Sequence, residues 1–223
     1  MAGRTRVKIC CIASPDEAAM AAAHGADLLG LVGPMPTGPG PITEAEAVTI
    51  ARGAPPWATP VLLTARETAE SIAAHAAEAG VRAVQIVRHL SPDELARLAR
   101  IAPDLARMQV VHVEDDTALD LIDAYAPHVT AFLLDSGRPS RHELGGTGRV
   151  HDWRISAEFV RRSPCPVFLA GGLTPENVGE AISRVRPFGV DLCTGVRVNG
   201  ALDPARLAAF MVAVQSADDE RRS

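Results

Sequence analysis

The chain has 223 residues, of which 47% are hydrophobic and only 4% aromatic, and carries a formal net charge of -5. That is enough for one large α/β domain whose core is mainly Ala, Val, Leu and Ile, and nothing asks for a second domain. The acidic balance offers no overall basic field for nucleic acid or an anionic membrane, which leaves small molecules as the expected partners.

No apolar run approaches the roughly 20 residues of a membrane span, and the first strand starts without a signal-peptide pattern, so a cytoplasmic location is expected. In that reducing setting Cys10, Cys11, Cys165 and Cys193 are expected to be free thiols, and their spacing is not that of a zinc site. No metal is implied.

Residues 6–12, Arg-Val-Lys-Ile-Cys-Cys-Ile, read as the first strand. Ser14-Pro15-Asp16-Glu17 follows at once as a helix start, with Ser14 as cap and Pro15 at the first helical position. Gly25 stops that helix, and 28–32 is strand two. Four prolines and three glycines then make 33–41 a loop, which the preceding strand places on the ligand face. Thr43 with Glu46 forms a capping box. Strand three is 60–64, a helix covers 67–79 and stops at Gly80, strand four is 83–87, and Ser91-Pro92-Asp93-Glu94 opens the next helix.

Strand five is 108–113, a helix spans 116–125, and strand six, 131–135, ends in Asp135. A glycine-rich loop, 136–150, contains Gly145-Gly146-Thr147-Gly148 and leads to a helix over 152–162. Strand seven, 166–170, ends in Gly171-Gly172-Leu173 before Thr174-Pro175-Glu176-Asn177, a capped helix start. Strand eight, 190–193, ends in Thr194-Gly195-Val196-Arg197, and Asp203-Pro204 opens the last helix. The polar tail 216–223 is expected to fray.

Eight βα units in this length predict a closed (β/α)₈ TIM barrel spanning 1–223, with its site in the loops after the strands. A doubly wound open sheet is the competitor. It lacks support, because no Gly-x-Gly-x-x-Gly follows strand one and the glycine turns cluster after strands seven and eight.

Those two turns make sense as a phosphate site, since glycine turns offer backbone N–H groups to an anion. Either turn alone reads equally well as a tight bend. Together, on neighbouring strands, Gly171, Gly172, Thr194 and Gly195 favour phosphate. Cys10 and Asp135 end strands one and six and so approach one cavity from different sides. A thiol can serve as general base and a carboxylate as general acid. A lone cysteine in an apolar strand also reads as packing, whereas Asp135 must be solvated or paired.

The chain resembles the phosphoribosylanthranilate isomerase family of tryptophan biosynthesis. The resemblance rests on Lys8-Ile9-Cys10 with Ile12, Gly25-Ala26-Asp27, Val84-Gln85, Leu133-Leu134-Asp135 and Gly145-Gly146-Thr147-Gly148 with Asp152-Trp153. Further on it includes Gly171-Gly172-Leu173 with Pro175-Glu176-Asn177-Val178, Arg186-Pro187-Phe188, and Val190-Asp191 with Gly195-Val196. It implies a (β/α)₈ barrel and an Amadori rearrangement of an aminoaldose phosphate to an aminoketose phosphate, with a phosphorylated sugar-amine as substrate. It further implies Asp135 as the acid that opens the furanose, Cys10 as the base at C2, and phosphate held by the glycine turns. No cofactor is implied, because the substrate's iminium is the electron sink.

The chain departs from the family where the anthranilate should be read. Loop 33–41 has no arginine, the family's glycine after the cysteine is Cys11, Gln85-Ile86-Val87-Arg88 replaces Gln-Leu-His-Gly, and Arg197 stands for a glutamate. Arg66, Arg88, Arg138 and Arg197 all follow predicted strands, and one of them is expected to replace the missing carboxylate anchor. Lys8, Gln85, Arg88, Gly146 and Arg197 are the expected substrate-lining residues, with His112 and His142 as further candidates against a structural reading. If Cys10 faces the mouth, strand alternation turns Cys11 towards the helices as filler; a vicinal disulfide is the alternative. Two other functions stay open: a paralogous isomerase for a different phosphoribosylamine, and a non-catalytic phosphate-binding barrel. Monomer and homodimer are both compatible with the sequence.

Overall fold

The computed structural model describes residues 3–35, 39–137 and 151–222. Helices begin where the sequence supplies caps. Ser14 Oγ accepts from Glu17 N–H at 3.1 Å, Thr43 and Glu46 form the reciprocal capping box, and Thr68 does the same with Ser71. Ser91 and Asp203 cap in like manner, each followed by proline at the start of its helix, where the missing N–H costs nothing.

Eight parallel strands, β1 (Arg6–Ile9), β2 (Leu28–Val32), β3 (Thr59–Thr64), β4 (Ala83–Ile86), β5 (Ala106–His112), β6 (Ala131–Asp135), β7 (Val167–Leu169) and β8 (Gly189–Leu192), close into a barrel in chain order. Around them run α1 (Pro15–Ala23), α2 (Glu44–Gly53), α3 (Ala69–Ala79), α4 (Pro92–Ile101), α5 (Leu121–Tyr125), α6 (Trp153–Arg162), α7 (Val178–Val185) and α8 (Pro204–Glu220). The seam is β1 against β8, with Lys8 opposite Asp191. Among the described residues no helix is long and apolar enough to cross a membrane.

Side-chain alternation sorts the buried residues into two cores. Val7, Ile9, Leu29, Leu31, Val84, Ile86, Phe132 and Leu134 face the helices. Their inward neighbours Val32, Leu63, Val87, Met108, Val110, Leu133 and Phe168 fill the barrel together with Cys10. Gly189 yields its space to Phe168, whose ring would lie 2.4 Å from an added Cβ.

The structure departs from the expected elements in several places. β1 ends at Ile9 rather than at residue 12, because Cys11 has φ +62° and leaves the extended region. Residues 116–128 are a 3₁₀ turn, α5 and a second 3₁₀ turn rather than one helix. A two-stranded hairpin, β9 (Arg197–Val198) and β10 (Ala201–Leu202), turns through Asn199 and Gly200 at φ +52° and +86°, the positive values that a tight hairpin turn favours.

A further departure corrects the expected frayed tail, since α8 continues to Glu220. Its end is anchored. The buried Asp218 carboxylate accepts from Thr5 N–H at 2.7 Å and from Thr5 Oγ1 at 2.6 Å, tying the last helix to the start of β1. Asp218→Ala strands both donors and is predicted to lower unfolding free energy by about 1–3 kcal/mol, measured by urea denaturation. An unchanged midpoint would mean the tail carries no load.

Two histidines, half-buried His151 and the more exposed His89, make the fold acid-sensitive. His151, whose Nε2 pairs with Ser156 Oγ at 2.7 Å, is brought down to about 4 by burial, with Asp152 opposing. His89 is likewise brought down to about 4, by burial and then by His112. Each binds a proton more weakly folded than unfolded, so stability is complete above about pH 6.5 and is lost as pH falls towards 4. His151 alone is predicted to account for up to about 3 kcal/mol of that loss. Denaturation midpoints across the range, compared with those of His151→Asn, check this; identical pH dependence in the two proteins would contradict it.

Candidate active site

Lys8 on β1 and Cys10 just past its end lie two residues apart, and both point into the barrel. Gly30 on β2 makes room for them: a Cβ there would stand 2.9 Å from Cys10 Sγ and 3.0 Å from Lys8 Nζ. Lys8 has no solvent exposure and donates to Asp191 Oδ1 at 2.8 Å. Burial works against its charge, but Asp191 and then Cys10 outweigh it and hold the lysine pKa well above its ordinary value. The ammonium is therefore a fixed positive charge between the Asp191 carboxylate and the Cys10 sulfur.

Asp135 ends β6 half-buried, on the inward parity of Ala131 and Leu133, and accepts from Ser136 N–H at 2.7 Å. Its charge reaches Asp191 across the barrel, pushing that carboxyl upward after burial has done so and against the pull of Lys8. His112, its partner in register on β5, is buried and meets His89 at 3.1 Å between ring nitrogens. His112 thus has the structural partner that a hydrogen-bonded histidine requires, while standing level with Asp135.

Cys11 is not the expected filler of the helix layer. Its left-handed backbone breaks the strand alternation and keeps the thiol at the mouth, 3.6 Å from Pro39 O, with Gly40 packed so closely that a Cβ there would lie 2.7 Å from Cys11 Cβ. Positive φ is also the reason a glycine suits this position. The Cys11 thiol is hydrogen-bonded to Cys10 and Cys193, and these bonds, then burial, push its pKa far up, so it stays protonated. Cys193 is lowered, first by the Cys11 bond and, against burial, by Arg197. All four cysteines are free.

The loops after β7 and β8 touch. Gly171 and Gly172 have φ +85° and +63°, and Asn177 fastens their turn, accepting from Thr174 N–H at 2.8 Å and donating to Gly172 O at 2.9 Å. Those bonds occupy the expected helix start, so α7 begins only at Val178. Thr194 and Gly195 form a 3₁₀ turn beside it, and a Cβ on Gly195 would sit 2.1 Å from Leu173 O. Only glycine lets the two loops approach this closely.

The expected anion anchors differ in what they already hold. Arg66 meets Glu44 at 3.4 Å and Arg88 meets Glu67 at 3.0 Å, both at the surface of the mouth. Arg88 Nε and Gln85 Oε1 are enclosed without a hydrogen-bond partner among the described residues. Arg197 is paired with Glu17 at 2.8 Å and turned back under the cysteine turn. Gly146, with Gly145, Thr147 and Gly148, and Arg138 and His142 lie outside the described residues. Glu17 and Cys193 are site residues that sequence reasoning passed over. Glu17 read as a first-turn helix acid, and nothing local signals its partner 180 positions away.

The family profile described as N-(5'phosphoribosyl)anthranilate (PRA) isomerase matches residues 7–213. N-(5'-phosphoribosyl)anthranilate isomerase 2 of Methanosarcina mazei is 38% identical over 208 residues, covering 92% of each chain. The crystal structure of the enzyme from Thermotoga maritima superposes with a TM-score of 0.80 at 31% identity, over 95% of this chain and 99% of that one. Another, of a phosphoribosyl anthranilate isomerase in complex with reduced 1-(o-carboxyphenylamino)-1-deoxyribulose 5-phosphate, matches with TM-score 0.78 and 29% identity over 95% and 99% of the two chains. The chain belongs to the N-(5'-phosphoribosyl)anthranilate isomerase family.

Proposed function

We propose that this chain isomerises N-(5'-phosphoribosyl)anthranilate to the corresponding 1-deoxyribulose phosphate by an Amadori rearrangement. Beyond family membership, the observation that carries the reading is that Cys10, just past β1, and Asp135, at the end of β6, both take inward positions, with the Lys8 ammonium beside the sulfur. An acid and a base on different sides of one cavity are what a proton-shuttling isomerisation needs.

In this reading Asp135 takes up a proton from solvent as the substrate binds and gives it to the ring oxygen as the C1–O bond breaks, and the substrate nitrogen's lone pair forms the iminium. The Cys10 thiolate then takes the proton from C2, the C2 electron pair moves to form the C1–C2 double bond, and the iminium electrons return to nitrogen. Ketonisation of the resulting enol completes the aminoketose. The substrate supplies the electron sink and the protein supplies the two proton carriers. Backbone N–H groups around Gly171, Gly172, Thr194 and Gly195 hold the terminal phosphate, which is the usual use of the loops after strands seven and eight. Gln85, whose amide oxygen waits enclosed, and Arg88 face the aglycone.

A sibling activity on another phosphoribosylamine is favoured by one observation, the absence of any basic residue from 33–41. Turnover of freshly generated phosphoribosylanthranilate, followed by loss of its fluorescence, decides between the two. The wild type is predicted to be active, and Cys10→Ala and Asp135→Asn each to lose about 10²–10⁴ in kcat with little change in KM. An inactive wild type that inorganic phosphate still stabilises thermally would move the search to other phosphoribosylamines, and active variants would remove the two residues from the mechanism.

A further inference from the structure

We propose that Arg197 is a positioning residue for the base: with Glu17 it holds the backbone turn of Cys10 at a set distance from the phosphate-binding loop. This rests on the reading of Cys10 as base and goes beyond it, because Arg197 was expected to touch substrate.

The turn needs support from outside its own strand. β1 ends at Ile9, and on either side of the break the backbone is held by Cys10 N–H to Leu192 O at 2.8 Å and Ile12 N–H to Gly30 O at 3.0 Å. Between those bonds Cys11 adopts φ +62°. The carbonyls of Cys10 and Cys11 turn instead towards one guanidinium, whose Nη2 donates to Cys11 O at 2.5 Å and, more weakly, to Cys10 O at 3.4 Å.

That guanidinium is itself fixed. Nη1 donates to Glu17 Oε1 at 2.8 Å and Gly200 O at 2.9 Å, and Nη2 to Glu17 Oε2 at 3.0 Å. Glu17 in turn accepts from Ala13 N–H and Leu202 N–H, each at 3.0 Å. The two side chains are only 9% and 15% exposed, and the bonds to Glu17 and the two carbonyls use the planar, multi-donor fork that lysine lacks.

The geometry gives the cluster a purpose beyond packing. Arg197 follows Thr194–Val196 directly, so the chain that forms the phosphate cradle also carries the group that grips the base turn. One end of the link is covalent and the other is hydrogen-bonded. A substrate clamped by its phosphate presents C2 at one place, and a base displaced by about 1 Å from it can lose on the order of 10²-fold in rate. The hairpin of β9 and β10 serves this link, supplying Gly200 O to the arginine and Leu202 N–H to its carboxylate partner.

The test is steady-state turnover of phosphoribosylanthranilate with hydrogen or deuterium at C2, for Arg197→Met, Arg197→Lys, Glu17→Gln and Arg197→Met combined with Glu17→Gln. Arg197→Met is expected to lose about 10- to 100-fold in kcat with KM nearly unchanged and a full primary isotope effect on kcat. Arg197→Lys should recover part of the loss, and the double variant should be no worse than the worse single. A large rise in KM at unchanged kcat would make Arg197 a substrate contact and overturn the proposal. So would a fall in kcat without an isotope effect, because the slow step would then lie away from C2. If Arg197→Met does not fold, Arg197→Lys and Glu17→Gln decide by the same criteria. Failure of the underlying reading looks different: Cys10→Ala would keep its turnover whatever happens at Arg197.

Discussion

The ion pair between Lys8 and Asp191 sits where the barrel closes and where the site begins. The two residues are opposite one another in register at the β1–β8 seam. Sliding either strand by one residue would turn one charge towards the helices and leave the other buried alone. Breaking a buried pair from one side typically costs about 3–5 kcal/mol, so the pair selects one register even though its net contribution to stability is modest. The same ammonium lies against Cys10 over Gly30, and the charge on Asp135 reaches Asp191. Closing the barrel and arranging Cys10, Asp135 and their counter-charges are thus one electrostatic problem with one solution.

Most of the fold was legible because its signals are local. Ser14-Pro15, Ser91-Pro92 and Asp203-Pro204 announce helix starts within three residues, and the Gly171-Gly172 and Thr194-Gly195 turns announce themselves by composition. Asp135 was legible as the last inward residue of β6, and Cys10 as the inward position that follows β1. Cys11 was misplaced because alternation was carried through a residue whose φ is positive. The ends of the chain were misjudged for a different reason: the partner of Asp218 is Thr5, 213 positions earlier, and a polar tail carries no mark of such an anchor. Arg197 was read by its strand position as facing the ligand, and only the fold shows that Glu17 has claimed it.

The two halves of the site are built differently. The proposed phosphate end and reacting centre rest on backbone turns, strand termini and buried charges, all held by the barrel itself. The aglycone end rests on loop side chains, with Arg66 and Arg88 engaged by glutamates at the rim and no cation between 33 and 41. Side chains in loops change more readily than strand ends do. A chain can therefore keep Cys10, Asp135 and the glycine turns after β7 and β8 while the side chains of the loops around them are replaced, which is the pattern of agreement with and departure from the family seen here.

The most direct measurement is a crystal structure of this chain with reduced 1-(o-carboxyphenylamino)-1-deoxyribulose 5-phosphate bound. The account predicts the phosphate against the turns at Gly172 and Gly195, the carbon corresponding to C2 at about 3–4 Å from Cys10 Sγ, and Asp135 on the other side of the sugar chain. A phosphate seated away from those two turns, or a C2 carbon out of reach of Cys10, would contradict it.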